Sequence, residues 1–238
     1  MSMRFFKPYN PDKYAQGLLN NVKVLVLGAS HYCTYNEKSD KFKCRVWQEC
    51  TSNESKDSSK FNDTCPYLER IGNSIKLEDT TCDEIENYLS GCDYPSYENF
   101  TQLMIDYTSL NKNEIWERIA FTNYVQYLVP RVVTPTQTKS DIKNFESFLE
   151  TLDELKPDLV IIWGTKITDH FQKKYIKKLV NILKVRDNSY FFDLLYNGRH
   201  YILINPYHPC NYRNSWSKNQ EQFKIALESA FKEISKNH

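Results

Sequence analysis

The 238-residue chain contains no run of about 18 apolar residues, which leaves no candidate for a membrane-spanning helix. Its first residues, Met1-Ser-Met-Arg-Phe-Phe and then Lys7-Pro-Tyr-Asn-Pro-Asp, lack the apolar stretch and small-residue cleavage site of a secretion signal. A cytoplasmic protein is the expectation. Excess charge is also missing. Lys and Arg total 31 against 30 Asp and Glu, so a broadly basic nucleic-acid-coating surface is excluded, although a local basic cleft is not.

Several signatures are absent as well. No Gly-x-x-x-x-Gly-Lys-Ser/Thr phosphate loop occurs, and no Gly-x-Gly-x-x-Gly follows the first strand, which disfavours ATP and NAD. There is no Gly-x-Ser-x-Gly elbow, which weakens a serine-hydrolase reading. The seven cysteines form no Cys-x-x-Cys pair. The gaps between Cys44, Cys50, Cys65, Cys82 and Cys92 are irregular and too long for a zinc knuckle or iron–sulfur run. Neither a cofactor nor a metal is expected. In a reducing compartment these thiols fit buried apolar positions better than disulfides. Asn53, Asn62 and Asn99 head Asn-x-Ser/Thr triplets, which carry little weight without secretion.

What the chain does contain is a set of apolar strands that stop at polar junctions. Val22-Lys-Val-Leu-Val-Leu-Gly28 is apolar on both faces, as a central parallel strand covered by helices must be. It releases the loop Ala29-Ser-His-Tyr32. Ile119–Gln126 is a second strand, with Thr122 and Asn123 interrupting its apolar run. Leu159-Val-Ile-Ile-Trp163 is a third, broken by Gly164-Thr165. Ser189–Leu195 and His200–Asn205 are the last two, and Asn197-Gly198 between them suits a tight hairpin.

Helices are expected over 140–156, 167–184 and 215–232, from apolar residues three and four apart. Shorter ones are expected from Pro11, over Thr80–Leu89 and within 98–118, and 128–135 is expected as a loop punctuated by two prolines. The rhythm is that of an α/β protein in one domain, with an irregular Cys-containing excursion at about 34–97 over its active face.

Parallel strands bring their C-terminal ends to one sheet edge, where α/β proteins place their chemistry. Gly28 with Ala29, Thr122-Asn123, Trp163-Gly164-Thr165 and Asn205-Pro-Tyr-His-Pro209 all fall at such ends. Gly28 allows a close backbone turn, and the next amides can cradle an anion or hold a polar ring atom. Ser30 can hydrogen-bond, and His31 can serve as base, acid or cap; loop hydrogen bonding is the plainer role for both. His208, held between prolines, is a rigid imidazole suited to catalytic electrostatics, or else a structural one. Asn123 can pair with a nucleobase edge through a donor and an acceptor, or tie down backbone. Tyr32, Tyr207 and Tyr212 can stack on a planar ligand or pack their loops. Arg213 is placed to meet a phosphate. Trp163 fits the core better than a ligand platform.

Val24-Leu-Val-Leu-Gly-Ala-Ser-His-Tyr32, Phe121-Thr-Asn123, Leu159-Val-Ile-Ile-Trp-Gly164 and His208-Pro209 together resemble motifs of the uracil-DNA glycosylase superfamily. The likeness covers the core strands and their loops. It implies a three-layer α/β/α sandwich on a central, mainly parallel four-stranded sheet. It also implies a DNA partner carrying a damaged base, which is flipped into a pocket where the N-glycosidic bond is hydrolysed. In that scheme Asn123 reads the base, with Gly28, Ala29 and Tyr32 around it. His208 supports the departing base, and Ser30 or His31 positions water. Tyr212, Arg213 and Thr165 are the candidates for DNA or phosphate contact. Ser30 stands where the best-known members carry Asp, and Cys210 follows His-Pro where many carry Ser. No obligate protein partner is implied. Two other functions fit the same residues: a non-catalytic nucleotide- or nucleic-acid-binding module, and a small-substrate hydrolase using Ser30 and a His.

Overall fold

In the computed structural model, the described residues are 4–33, 77–126, 128–130, 142–164, 167–168, 171, 182–185, 191–206, 208–209 and 216–236. Strand β1, Val24–Gly28, lies inside the sheet, with every residue buried. It pairs in parallel with β3, Ile119–Asn123, on one side and with β5, Leu159–Ile162, on the other. β8, Arg199–Ile204, continues the parallel sheet beyond β5.

The sheet is wider than the four parallel strands expected. β7, Phe191–Tyr196, and β6, Ile182–Val185, add to it in antiparallel fashion, giving the order β3-β1-β5-β8-β7-β6. β6 corrects the expectation of a helix through residue 184. Its backbone is fixed by pairing with Phe192–Leu195, so sheet pairing overrides local helical spacing. The β7–β8 turn is a tight hairpin with Asn197 at φ 49° and Gly198 at φ 74°, the two positive values such a turn requires.

Alternation along the strands feeds two cores. Val24, Val26, Ile119, Phe121, Leu159, Ile161, Ile202 and Ile204 share one face. On it pack helices α1 (Thr80–Leu89), α2 (Pro95–Thr108), α3 (Lys112–Trp116) and α5 (Trp216–Ile234). Leu25, Leu27, Ala120, Val160, Ile162 and Leu203 face the opposite side, under α4, Ile142–Leu155. The result is an α/β/α sandwich. Among the described residues, no helix is long and apolar enough to cross a membrane.

Local chemistry sets the helix ends. Ser109 at φ 60° stops α2, and Asn111 and Glu114 form a reciprocal capping box that starts α3, so the helical stretch around 98–118 divides in two. Helix α1 ends at Ser90, before Gly91 at φ 107°. It spans the short helix expected over Thr80–Leu89, and with the start of α2 it belongs to the core. Residues 34–76, with Cys44, Cys50 and Cys65, lie outside the described set. So does Ser140, the first residue of the helix expected over 140–156. Cys82 and Cys92 are free thiols.

The segment near Pro11 forms a single 3-10 turn, Tyr14–Gln16, where a short helix was expected. The residues before it form an arm that seals the outer edge of β3. Tyr9 and Phe121 exchange backbone hydrogen bonds of 2.8 and 3.0 Å. Exposed sheet edges invite further pairing, and this arm closes one. Arm residue Lys7 also donates its N–H to Glu78 O, and its ammonium meets the carboxylates of Glu78 and Asp79 just before α1.

Candidate functional site

The chain runs from β1 to β3 on one side, then crosses to β5 on the other, so connections diverge between β1 and β5. Ligands of open α/β sheets bind at such a divergence, outside the carboxyl ends of the strands. Register places Gly28 opposite Asn123, Leu27 opposite both Thr122 and Ile162, and Ile161 opposite Ile204. Gly28, Asn123 and Trp163 therefore lie at one level of the same sheet edge, with Asn205 one residue before it.

Gly28 plays a different part from the one expected. Its φ is not positive, so no special turn requires glycine there. What requires it is space. A Cβ would fall inside contact distance of Asn123 Oδ1 and 2.7 Å from Phe121 Cζ. The following loop runs beside residues 124–129: Gly28, Ala29 and His31 present carbonyls to the N–H groups of Tyr124, Val125 and Val129. That alignment becomes a small parallel ladder, β2 (Tyr32–Cys33) with β4 (Val129–Pro130), inside the stretch expected to be a loop. Ala29 packs against the second core, and Tyr32 is 43% exposed at the surface.

His31 is turned inward and is 1% exposed. Its ring packs edge-on to Phe6 of the arm, with centroids 4.6 Å apart. Nδ1 lies 3.1 Å from Glu84 Oε1. Nε2 lies 2.9 Å from Thr81 Oγ1 and 3.0 Å from Asn123 Nδ2. Thr81 and Glu84 sit three residues apart on α1, which brings both to one side of that helix. Tyr97 on α2 donates its hydroxyl to the other oxygen of Glu84 at 3.4 Å. Sequence reading missed Glu84 and Thr81. Their i,i+3 spacing beside the apolar stripe of Ile85 and Tyr88 puts them on one side of the helix but records nothing of the contact with His31.

This arrangement corrects two expectations. Ser30 Oγ is buried and makes no hydrogen bond, so no imidazole activates it as a nucleophile. His31 is committed to Glu84, Thr81 and Asn123 and has almost no surface on which to meet a substrate, so it fits positioning better than proton transfer to a ligand. Asn123 is tied equally firmly. Its Nδ2 faces His31, its backbone carbonyl accepts from Gln126 Nε2 at 2.7 Å, and its Oδ1 makes no hydrogen bond. Gln126 Oε1 accepts in turn from the N–H groups of Phe5 and Phe6 at 3.0 Å, linking the arm to the site.

His208 stands on the far side of the divergence. Its ring is edge-on to Trp163, with centroids 6.0 Å apart, beside Gly164. Burial pushes its imidazole down to about 4, so the ring is neutral at pH 7. Asn99 of α2 donates to Pro209 O at 2.8 Å and fixes the residue after it. Asn205 joins the ends of β8 and β5. It accepts from Thr168 Oγ1 at 2.7 Å, and its amide N–H groups reach Ile162 O and Gly164 O at 3.3 and 3.2 Å. Trp163 is core, as expected, but its Nε1 is buried without a hydrogen bond. Phe121 lies 5.2 Å from Trp163 by centroids and under Gly28, so a continuous aromatic floor joins the two sides. Thr165, Tyr207, Tyr212 and Arg213 lie outside the described residues.

No protein-family model matches this sequence, and no curated protein matches it. The case for function therefore rests on the geometry above.

Proposed function

We propose that the protein binds a nucleobase at the β1/β5 divergence and hydrolyses the N-glycosidic bond of a uracil-like or otherwise damaged base flipped out of DNA. The observation that supports this reading is a neutral, desolvated His208 packed on Trp163, which follows β5, at the same sheet edge where Asn123 ends β3. In the reaction, water adds its oxygen to the sugar C1′ as the C1′–N bond breaks. The bond pair leaves on the base, and the proton released by water ends on that base or in solvent. A neutral imidazole N–H donates to the carbonyl oxygen on which negative charge collects, without adding a cation that would repel the developing sugar cation. Asn123 reads the base edge. Duplexes carrying uracil, hypoxanthine or an alkylated base, incubated with the protein and probed for abasic sites, test this. Release of one of these bases, abolished by His208→Ala, is the expected result. No release from any of them, with no DNA affinity at low salt, overturns it.

One observation favours a second reading, a binding module without catalysis. The carboxylate that meets the first loop, Glu84, is engaged by His31, and Ser30 offers none. That reading predicts affinity without base release, little altered by His208→Ala.

A further inference from the structure

The β7–β8 turn lies where β8 begins, at the sheet edge opposite the crevice, and it carries chemistry of its own. Asn197-Gly198 is the one place in the sequence where Gly follows Asn. A glycine leaves its own peptide nitrogen unshielded by a side chain, so that nitrogen can close on the amide carbon of the residue before it. Both turn residues are exposed, and a Cβ on Gly198 would meet nothing within 4 Å. Tyr196 pairs with Arg199, which leaves Asn197 and Gly198 outside the ladder.

The Asn197 side chain is nevertheless held. Its Nδ2 lies 3.2 Å from each carboxylate oxygen of Asp153 on α4. Tyr196 donates its hydroxyl to the same carboxylate at 3.1 Å. To reach the nitrogen of Gly198, the carboxamide has to leave Asp153. These bonds are exposed to water, so they slow that departure without preventing it.

We propose that Asn197 is a deamidation site held in check by Asp153. The Gly198 nitrogen, its proton lost to solvent base, bonds to Asn197 Cγ. The Cγ–Nδ2 bond breaks, ammonia leaves, and a cyclic imide remains. Water then adds to one of the two imide carbonyls and opens the ring to aspartate or isoaspartate, with no change of oxidation state. Either product replaces a donor by a carboxylate facing Asp153, so attraction turns to repulsion. Isoaspartate also adds a carbon to the backbone of a two-residue turn whose register is fixed by Tyr196 and Arg199. The modified hairpin therefore lets go of α4. The inference stands apart from the nucleobase reading, which concerns the other edge of the sheet.

The test incubates the full chain at mildly alkaline pH as wild type, Asp153→Ala and Tyr196→Phe, with wild type in urea as the unfolded reference. Peptide mass spectrometry locates the change, and an isoaspartate methyltransferase assay reports the second product. Asp153→Ala is expected to convert at residue 197 about threefold to tenfold faster than folded wild type, the scale of an exposed hydrogen bond expressed as a rate. Tyr196→Phe keeps the Asn197 bonds and is expected to stay within about twofold of wild type. Hydrogen exchange in the deamidated fraction is expected to quicken in the hairpin and in the last turn of α4. No conversion at residue 197 in Asp153→Ala, over a time in which the urea-unfolded chain converts, overturns the site. Equal rates in wild type and Asp153→Ala overturn the restraint. So does an acceleration shared equally by the other asparagines, which would mark general loosening of the fold.

Discussion

Gly28 and Asn123 are register partners on adjacent parallel strands, and the absence of a side chain at one makes room for the amide of the other. Asn123 is held by His31, so it cannot swing aside to admit a methyl group, and Phe121 stands close behind. Gly28→Ala is expected to destabilise the fold by about 1–3 kcal/mol, the range for overpacking a tight core. Urea unfolding at pH 7 measures it. A loss below about 0.5 kcal/mol, no more than an ordinary surface change, would mean the contact relaxes freely.

Acid stability reports on His208. Its folded-state value of about 4 lies below the ordinary histidine value of 6.5, so on acidification the unfolded chain takes up the proton first. The stability this contributes is complete above pH 6.5 and is lost progressively as pH falls toward 4. The loss is on the order of 2–3 kcal/mol across that window. His208→Gln is expected to show a flatter dependence of unfolding free energy on pH between 6.5 and 4. Parallel curves for the two proteins would contradict a desolvated imidazole.

Thr122 is a buried residue whose hydroxyl makes no hydrogen bond, one position before Asn123. Replacing it by isosteric valine removes an unsatisfied group from the interior. Thr122→Val is expected to be neutral or to stabilise by up to about 1 kcal/mol, the reverse of the usual cost of a core substitution. Thermal unfolding of the variant checks the sign.

Gln126 joins three backbone groups: it accepts from Phe5 and Phe6 and donates to the carbonyl of Asn123. Gln126→Leu strands these partners. The expected cost is about 2–4 kcal/mol, since each buried orphan costs about 1–3 and the arm can partly rehydrate. Hydrogen exchange at Phe5, Phe6 and Tyr9 is expected to accelerate with it. Unchanged protection there would show that the Tyr9–Phe121 pairing holds the arm unaided.

How much of this could be read from the chain depends on the range of the interaction. The β1, β3, β5 and β8 segments were plain because a strand buried on both faces must be apolar throughout, and Val24–Leu27 and Leu159–Ile162 are. The Asn197-Gly198 turn was plain because few residue pairs accept two positive φ values. The meeting of Gly28 with Asn123 followed from parallel topology. The partners of His31 did not, since Thr81 lies 50 positions away and no local spacing records that contact. Strand β6 was hidden for the same reason: Ile182–Val185 takes its form from β7. The space beneath Asn123 was invisible too, because glycine in a sequence signals freedom to turn as readily as lack of bulk.

The arm has a consequence for the order of assembly. Phe5 meets Gln126 across 121 positions, and Phe6, which closes the face of His31, does so across 120. During synthesis the arm emerges before β3 and has nowhere to dock until β3 follows. Contacts this distant in sequence are slow to form, and their loop-closure entropy must be met before they return anything. The imidazole beside Asn123 is thus enclosed only after the sheet around it exists, and refolding kinetics should show the environment of His31 maturing later than the β1–β3 pairing.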